Sequence, residues 1–120
     1  MTNLKALQVY QSYVEAWRPI PDEQRKKILA EVLEENVEYL VPGYVGGTSA
    51  VIEDMERFQK QYPGAHFEVE NVSTHHEVAL FKWVLVLADG KVTVKGHDCI
   101  RFSPAGKIGS LITFGPASPK

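Results

Sequence analysis

The sequence predicts an α+β domain, with helices first and a long antiparallel sheet after them. Three observations point there. Apolar residues recur at helical spacing through the first half, and from Ala65 onward the period switches to two. Asp89-Gly90 stands between two alternating runs and marks a hairpin. A chain of 120 residues predicts one domain, placed at 1–115, with a flexible tail at 116–120.

The elements follow in order. Leu4, Leu7, Tyr10, Val14 and Trp17 form a helical stripe with Tyr13 beside them, capped by Thr2 or Asn3 and ended by Pro19 and Pro21. A second helix runs from Asp22, its N-cap, to Leu33, with Ile28, Leu29, Val32 and Leu33 as its stripe. Val37 to Val41 alternates as a short strand, and Pro42-Gly-Tyr-Val-Gly-Gly47 is a loop. The third helix starts near Thr48 or Ser49, buries Val51, Met55, Phe58 and Tyr62, and stops at Pro63-Gly64. Four strands follow, at 66–74, 78–88, 91–103 and 107–114.

Composition excludes several classes. Net charge is −2 and no basic block occurs, so nucleic acid is not an expected partner. No apolar run reaches membrane-spanning length, and Asn3–Trp17 is amphipathic, unlike a signal peptide. Cys99 is the single cysteine, which leaves no intrachain disulfide and makes the cytoplasm the expected compartment. The loop at 42–47 lacks the Lys-Ser/Thr of a phosphate-binding loop. His75 and His76 are adjacent on a strand, so they point to opposite faces and make poor joint ligands. No metal and no cofactor are expected.

A two-residue turn at Asp89-Gly90 sets the register: Leu87 opposite Val92, Leu85 opposite Val94, Trp83 opposite Gly96, Phe81 opposite Asp98 and Ala79 opposite Ile100. This face is apolar except for Asp98. Burial raises a carboxyl's pKa by disfavouring its charged form, so Asp98 is either a structural acid bonded to its surroundings or a chemical one. A three-residue turn with left-handed Gly106 adds Ile108, Ser110, Ile112 and Phe114 to the same face, with Ile112 beside Asp98. The helices must cover it. The opposite face carries Val78, Leu80, Val84 and Val86, and a second subunit is its natural cover. A homodimer through the outer sheet face is therefore expected.

Helices followed by a long sheet with an inward Asp98 resemble the nuclear transport factor 2-like superfamily, which includes ketosteroid isomerases and SnoaL-like polyketide cyclases. The segment from His97 to Gly115 (Asp, then Phe, a Gly-Lys turn and a final Phe-Gly) is its most specific part. His75-His76 followed by Phe81-Lys-Trp83 resembles the SnoaL-like pattern. The resemblance implies a cone of curved sheet around a cavity roofed by the helices, often dimeric. It also implies that Tyr13, within Gln11-Ser-Tyr-Val-Glu-Ala16, is the oxyanion-stabilising tyrosine and that Asp98 is the acid. The isomerase base position falls on Val41, just before Pro42.

The expected function is acid/base chemistry, of cyclase or isomerase type, on a small hydrophobic carbonyl compound through Asp98 and Tyr13. The expected lining is Trp17, Tyr39, Val41, Phe58, Asn71, Phe81, Trp83, Ile112 and Phe114. Asn71 shares a face with Phe67 and Val69 and offers an amide. Two alternatives stay open: a non-catalytic binder of an apolar molecule, and a dimeric interaction module with an incidental cavity.

Overall fold

A computed structural model describes residues 2–115. The tail expected at 116–120 lies outside the described residues. The elements are α1 (Asn3–Glu15), α2 (Asp22–Val32), β1 (Leu33–Val41), β2 (Tyr44–Gly46), α3 (Thr48–Gln61), β3 (His66–His75), β4 (Val78–Val86), β5 (Val92–Phe102) and β6 (Ile108–Phe114). The strands form one curved mixed sheet in the order β2-β1-β6-β5-β4-β3, and β1 runs parallel to β6 while the other neighbours are antiparallel. The segment expected to be a loop at 42–47 contains β2, which pairs Val45 with Leu40.

Thr2 caps α1 by accepting from the Lys5 N–H at 3.1 Å. The buried residues of α1 are Ala6, Tyr10, Tyr13 and Val14, while Leu4 is exposed and Trp17 lies beyond the helix. Asp22 is the first residue of α2, and Pro21 holds the cap position. A charged residue shares the buried stripe of α2: Arg25 stands four residues before Leu29 and seven before Val32. Its guanidinium donates to the carbonyls of Ala16 (2.8 Å), Arg18 (3.0 Å) and Ile20 (3.4 Å) and to Asp22 (3.1 Å), so it ties down the connection between α1 and α2. The Gln59 amide of α3 joins the same connection through the Trp17 carbonyl at 2.6 Å.

The core lies between the helices and the concave sheet face, where Tyr10, Tyr13, Tyr39, Phe81, Ile100, Ile108 and Leu111 are among the most buried side chains.

The β4–β5 register holds at Leu85–Val94, Trp83–Gly96, Phe81–Asp98 and Ala79–Ile100, although the turn differs from expectation. The Leu87 N–H bonds the Lys91 carbonyl and the Gly90 N–H bonds the Leu87 carbonyl, so the loop has three residues, 88–90. Gly90 sits at φ 88°, the left-handed conformation such a loop needs. The added loop residue is absorbed by a bulge at Thr93, because Val86 pairs with Val92 and Leu85 with Val94. Two departures cancel, and Asp98 stays opposite Phe81.

Nothing cancels the bulges on β6 and β3. On β6, Phe102 pairs with Ile108 and Arg101 with Ser110, so Gly109 is the extra residue. Leu111 and Thr113 then face inward beside Ile100 and Asp98, and Ile112 and Phe114 face outward. On β3, Val69 pairs with Trp83 but Asn71 with Lys82, so Glu70 is the extra residue and Val72 takes the inward place opposite Phe81.

On the outer face, Val84 and Val86 are already buried within the chain. The apolar surface left open follows a cross-strand row, Leu80–Cys99–Ile112–Leu40–Val45, each residue the register partner of the next. Leu80 is 46% exposed and Val45 64%. No helix among the described residues is long and apolar enough to cross a membrane.

Candidate functional site

Asp98 projects from β5 into the concave face and is 5% exposed. Each of its contacts comes from a different element. Tyr10 of α1 donates to Oδ2 at 2.6 Å, Thr113 of β6 donates to Oδ1 at 2.8 Å, and the Trp83 indole of β4 donates to Oδ1 at 3.3 Å.

Gly96 makes the Trp83 contact possible. The indole lies across its cross-strand partner Gly96 and reaches Asp98, two residues further along β5. A Cβ at Gly96 would meet indole carbons at 2.2 and 2.6 Å and the Phe114 carbonyl at 2.6 Å. Tyr10 is set by stacking: its ring lies on Phe81, the register partner of Asp98, with centroids 3.9 Å apart and planes 12° apart.

Burial pushes the Asp98 carboxyl above the ordinary carboxylate range; the hydrogen bonds from Tyr10, Thr113 and Trp83 and the nearby charge of His97 oppose this without overcoming it. Tyr10 and Tyr13 are raised well above the ordinary phenol value, first by burial and next by the negative charge of Asp98. Tyr39 is also raised, by burial and then by Tyr13, and it donates to Asp54 Oδ2 at 2.7 Å.

These groups surround a cavity of about 300 Å³. Its walls are Tyr10, Tyr13, Val14, Trp17, Tyr39, Val41, Pro42, Phe67, Trp83, Asp98 and Thr113, with Asp54 and Arg57 of α3. Six of these thirteen residues are aromatic, and the polar atoms come from the tyrosines, Thr113, Arg57 and the two aspartates. A concave, largely apolar space with a few convergent polar groups is the usual form of a small-molecule site.

Of the residues expected at such a site, Asp98, Tyr13, Trp17, Tyr39, Val41 and Trp83 lie on this wall. The tyrosine bonded to Asp98 is Tyr10, and Tyr13 stands one helical turn on. Five expected lining residues lie elsewhere. Phe58 stacks on Phe67 at 4.8 Å and meets Trp17 edge-on at 5.5 Å, so those two rings stand at the wall in its place. Phe81 is covered by the Tyr10 ring. Ile112 and Phe114 are turned outward by the bulge at Gly109. Asn71 is turned outward by the bulge at Glu70, and its side chain accepts from the Val72 N–H at 2.9 Å.

Thr113, Asp54 and Arg57 were not anticipated. Thr113 is hidden behind the bulge, although a glycine inside a strand is itself a bulge signal. Asp54 was legible by spacing, since it follows Val51 by three residues and precedes Phe58 by four, on the buried stripe of α3.

His75 and His76 lie at an exposed turn with their Nδ1 atoms 3.2 Å apart, because His76 adopts φ 54° and brings its ring round to its neighbour's. The expected divergence to opposite faces does not occur. Among the described residues no three His, Cys, Asp or Glu side chains gather as a metal site would require.

Residues 10–110 match the family model of the SnoaL-like domain. A candidate isomerase of the SnoaL-like family from Agrobacterium tumefaciens strain C58 superposes with a TM-score of 0.85 at 24% identity, covering 95% of this chain and 99% of that one. A nuclear transport factor 2-like protein from Exiguobacterium sp. 255-15 gives 0.72 at 17% identity, covering 92% and 99%. A candidate ketosteroid isomerase from Kribbella flavida DSM 17836 gives 0.67 at 18% identity, covering 98% and 82%. At these identities the likenesses establish the nuclear transport factor 2-like fold. No curated protein sequence matches the chain.

Proposed function

The chain belongs to the SnoaL-like domain family, and from there we propose that it is an acid/base enzyme of isomerase or cyclase type acting on an apolar carbonyl compound. The observation that carries this reading is Asp98: a buried carboxyl on the wall of an aromatic cavity, held by three side-chain donors and raised in pKa by desolvation. A carboxyl that keeps its proton can donate to a carbonyl oxygen, and a site dry enough to raise it also strengthens that donation as charge develops on the oxygen. Tyr13, on the same wall, supplies a second hydroxyl for the oxygen. The aromatic rings supply binding free energy that the reacting group need not provide.

The test uses 2-tetralone, an apolar ketone with acidic C–H bonds beside its carbonyl. The enzyme reading expects the protein to speed deuterium uptake at that carbon above the buffer rate, followed by NMR. Binding of the ketone with no gain in exchange would leave a non-catalytic apolar carrier as the function.

The second part of the reading is a homodimer through the outer sheet face, supported by the open row Leu80–Cys99–Ile112–Leu40–Val45. Sedimentation at micromolar concentration should give twice the chain mass, reduced to one by Leu80→Glu together with Ile112→Glu. A single-chain mass for the unaltered protein would exclude it.

A further inference from the structure

Asp98 is one of two carboxylates on the cavity wall; the other is Asp54, with Arg57 one helical turn further along α3. Their surroundings are opposite in kind. Asp98 is held by hydroxyl and indole donors among aromatic rings, with no Lys or Arg among its hydrogen-bond partners. Asp54 is an ion-paired carboxylate: Oδ1 meets Arg57 Nη1 at 2.6 Å, and Oδ2 accepts from Tyr39 at 2.7 Å. Its side chain is 15% exposed, whereas that of Arg57 is 60% exposed. Tyr13 stands in the field of both, since each carboxylate raises its pKa. A carboxyl held by neutral donors and a carboxylate paired with a guanidinium thus line one space.

We propose that Asp54 is the proton acceptor of this site, taking a proton from the carbon beside the substrate carbonyl while Asp98 serves the carbonyl oxygen. The inference rests on the acid/base reading above and adds the base that reading lacks. The substrate class is a ketone with an acidic α C–H bond. The C–H bond breaks and an O–H bond forms on Asp54. The freed electron pair becomes the carbon–carbon double bond of an enolate, and the carbonyl π pair moves to the oxygen, where the Asp98 hydroxyl donates to it. The proton on Asp54 then returns to the same carbon or to a conjugated one, so no co-reactant is consumed. Arg57 acts as a positioning residue that holds the carboxylate; Tyr39 fixes its other oxygen.

The experiment measures 2-tetralone α-deuteration by the full chain and three variants, with 2-naphthol fluorescence as the binding readout and thermal melting as the fold check. Asp54→Asn should bind 2-naphthol as the unaltered protein does and lose exchange by about a hundredfold or more, the usual worth of a positioned base. Asp98→Asn keeps a donor at the oxygen and should lose about tenfold. Because Asp54→Asn alters the ion pair with Arg57, Asp54→Ala is measured with added formate, whose carboxylate should restore exchange. Exchange by Asp54→Asn within about threefold of the unaltered protein, or no formate rescue of Asp54→Ala, overturns the assignment of Asp54 and leaves the acid/base reading standing. Exchange by the unaltered protein no faster than buffer overturns that reading, and the role of Asp54 with it.

Discussion

Two ionisable side chains are buried among the described residues, Arg25 at 4% exposure and Asp98 at 5%, and they have different uses. Arg25 sits in a cage of backbone carbonyls from Ala16, Arg18 and Ile20, closed by Asp22. The chain path fixes those acceptors, and Arg25 lies away from the cavity wall. Asp98 is held by three side chains from three elements, each of which also lines the cavity. Burial of charge does not by itself mark chemistry. A charge whose partners are backbone groups fastens the chain; a charge whose partners are side chains around an open space can exchange a proton with what enters.

The contrast can be broken from either side. The largest effect is expected at Arg25. Arg25→Met leaves buried carbonyls without their donor and should cost about 3 kcal/mol of stability, read from urea midpoints at constant slope. Activity per folded molecule should not change. A loss below about 1 kcal/mol would show the cage to be dispensable. Gly96→Ala comes next, because its Cβ must displace the Trp83 indole and also crowds the Phe114 carbonyl. A cost of about 2 kcal/mol is expected by thermal melting, with loss of the Trp83 bond to Asp98. Unchanged melting would mean that the indole moves aside freely.

The smallest effect is expected at Asp98 itself, and its sign is the informative part. A carboxyl whose pKa is raised on folding binds its proton more tightly in the folded state. Its contribution to stability is therefore fully present below the unfolded value of about 3.9 and is lost as pH rises towards the folded value. Asp98→Asn mimics the protonated form at every pH. Its stability should match the unaltered protein near pH 3.5 or so and exceed it increasingly as pH rises. A variant that is less stable at neutral pH than in acid, relative to the unaltered protein, would reverse the sign and make Asp98 an ion stabilised by its donors.

Much of this arrangement was legible in the sequence, and the gaps have physical causes. Asp98 and Phe81 were placed opposite one another because the third loop residue and the Thr93 bulge cancel. Ile112 and Asn71 were misplaced because alternation carries no information past a bulge: one extra residue at Gly109 or Glu70 reverses every later side chain. Tyr10 and Tyr13 share one face of α1, and helical spacing cannot say which ring lands on Phe81; that is decided by how the helix seats on the sheet. Arg25 and Asp54 were overlooked in the same way. Each is a charged residue at the spacing of an apolar stripe, which a search for apolar residues alone passes over.

The central claim is that the walls of the cavity hold Asp98 above its ordinary pKa. Carbon-detected NMR titration of the Asp98 carboxyl tests it directly, with Asp98→Asn identifying the resonance. A midpoint clearly above about 3.9 is the predicted result. A midpoint at or below that value would show that the hydrogen bonds from Tyr10, Thr113 and Trp83 outweigh desolvation, leaving an ionised structural aspartate and contradicting the claim.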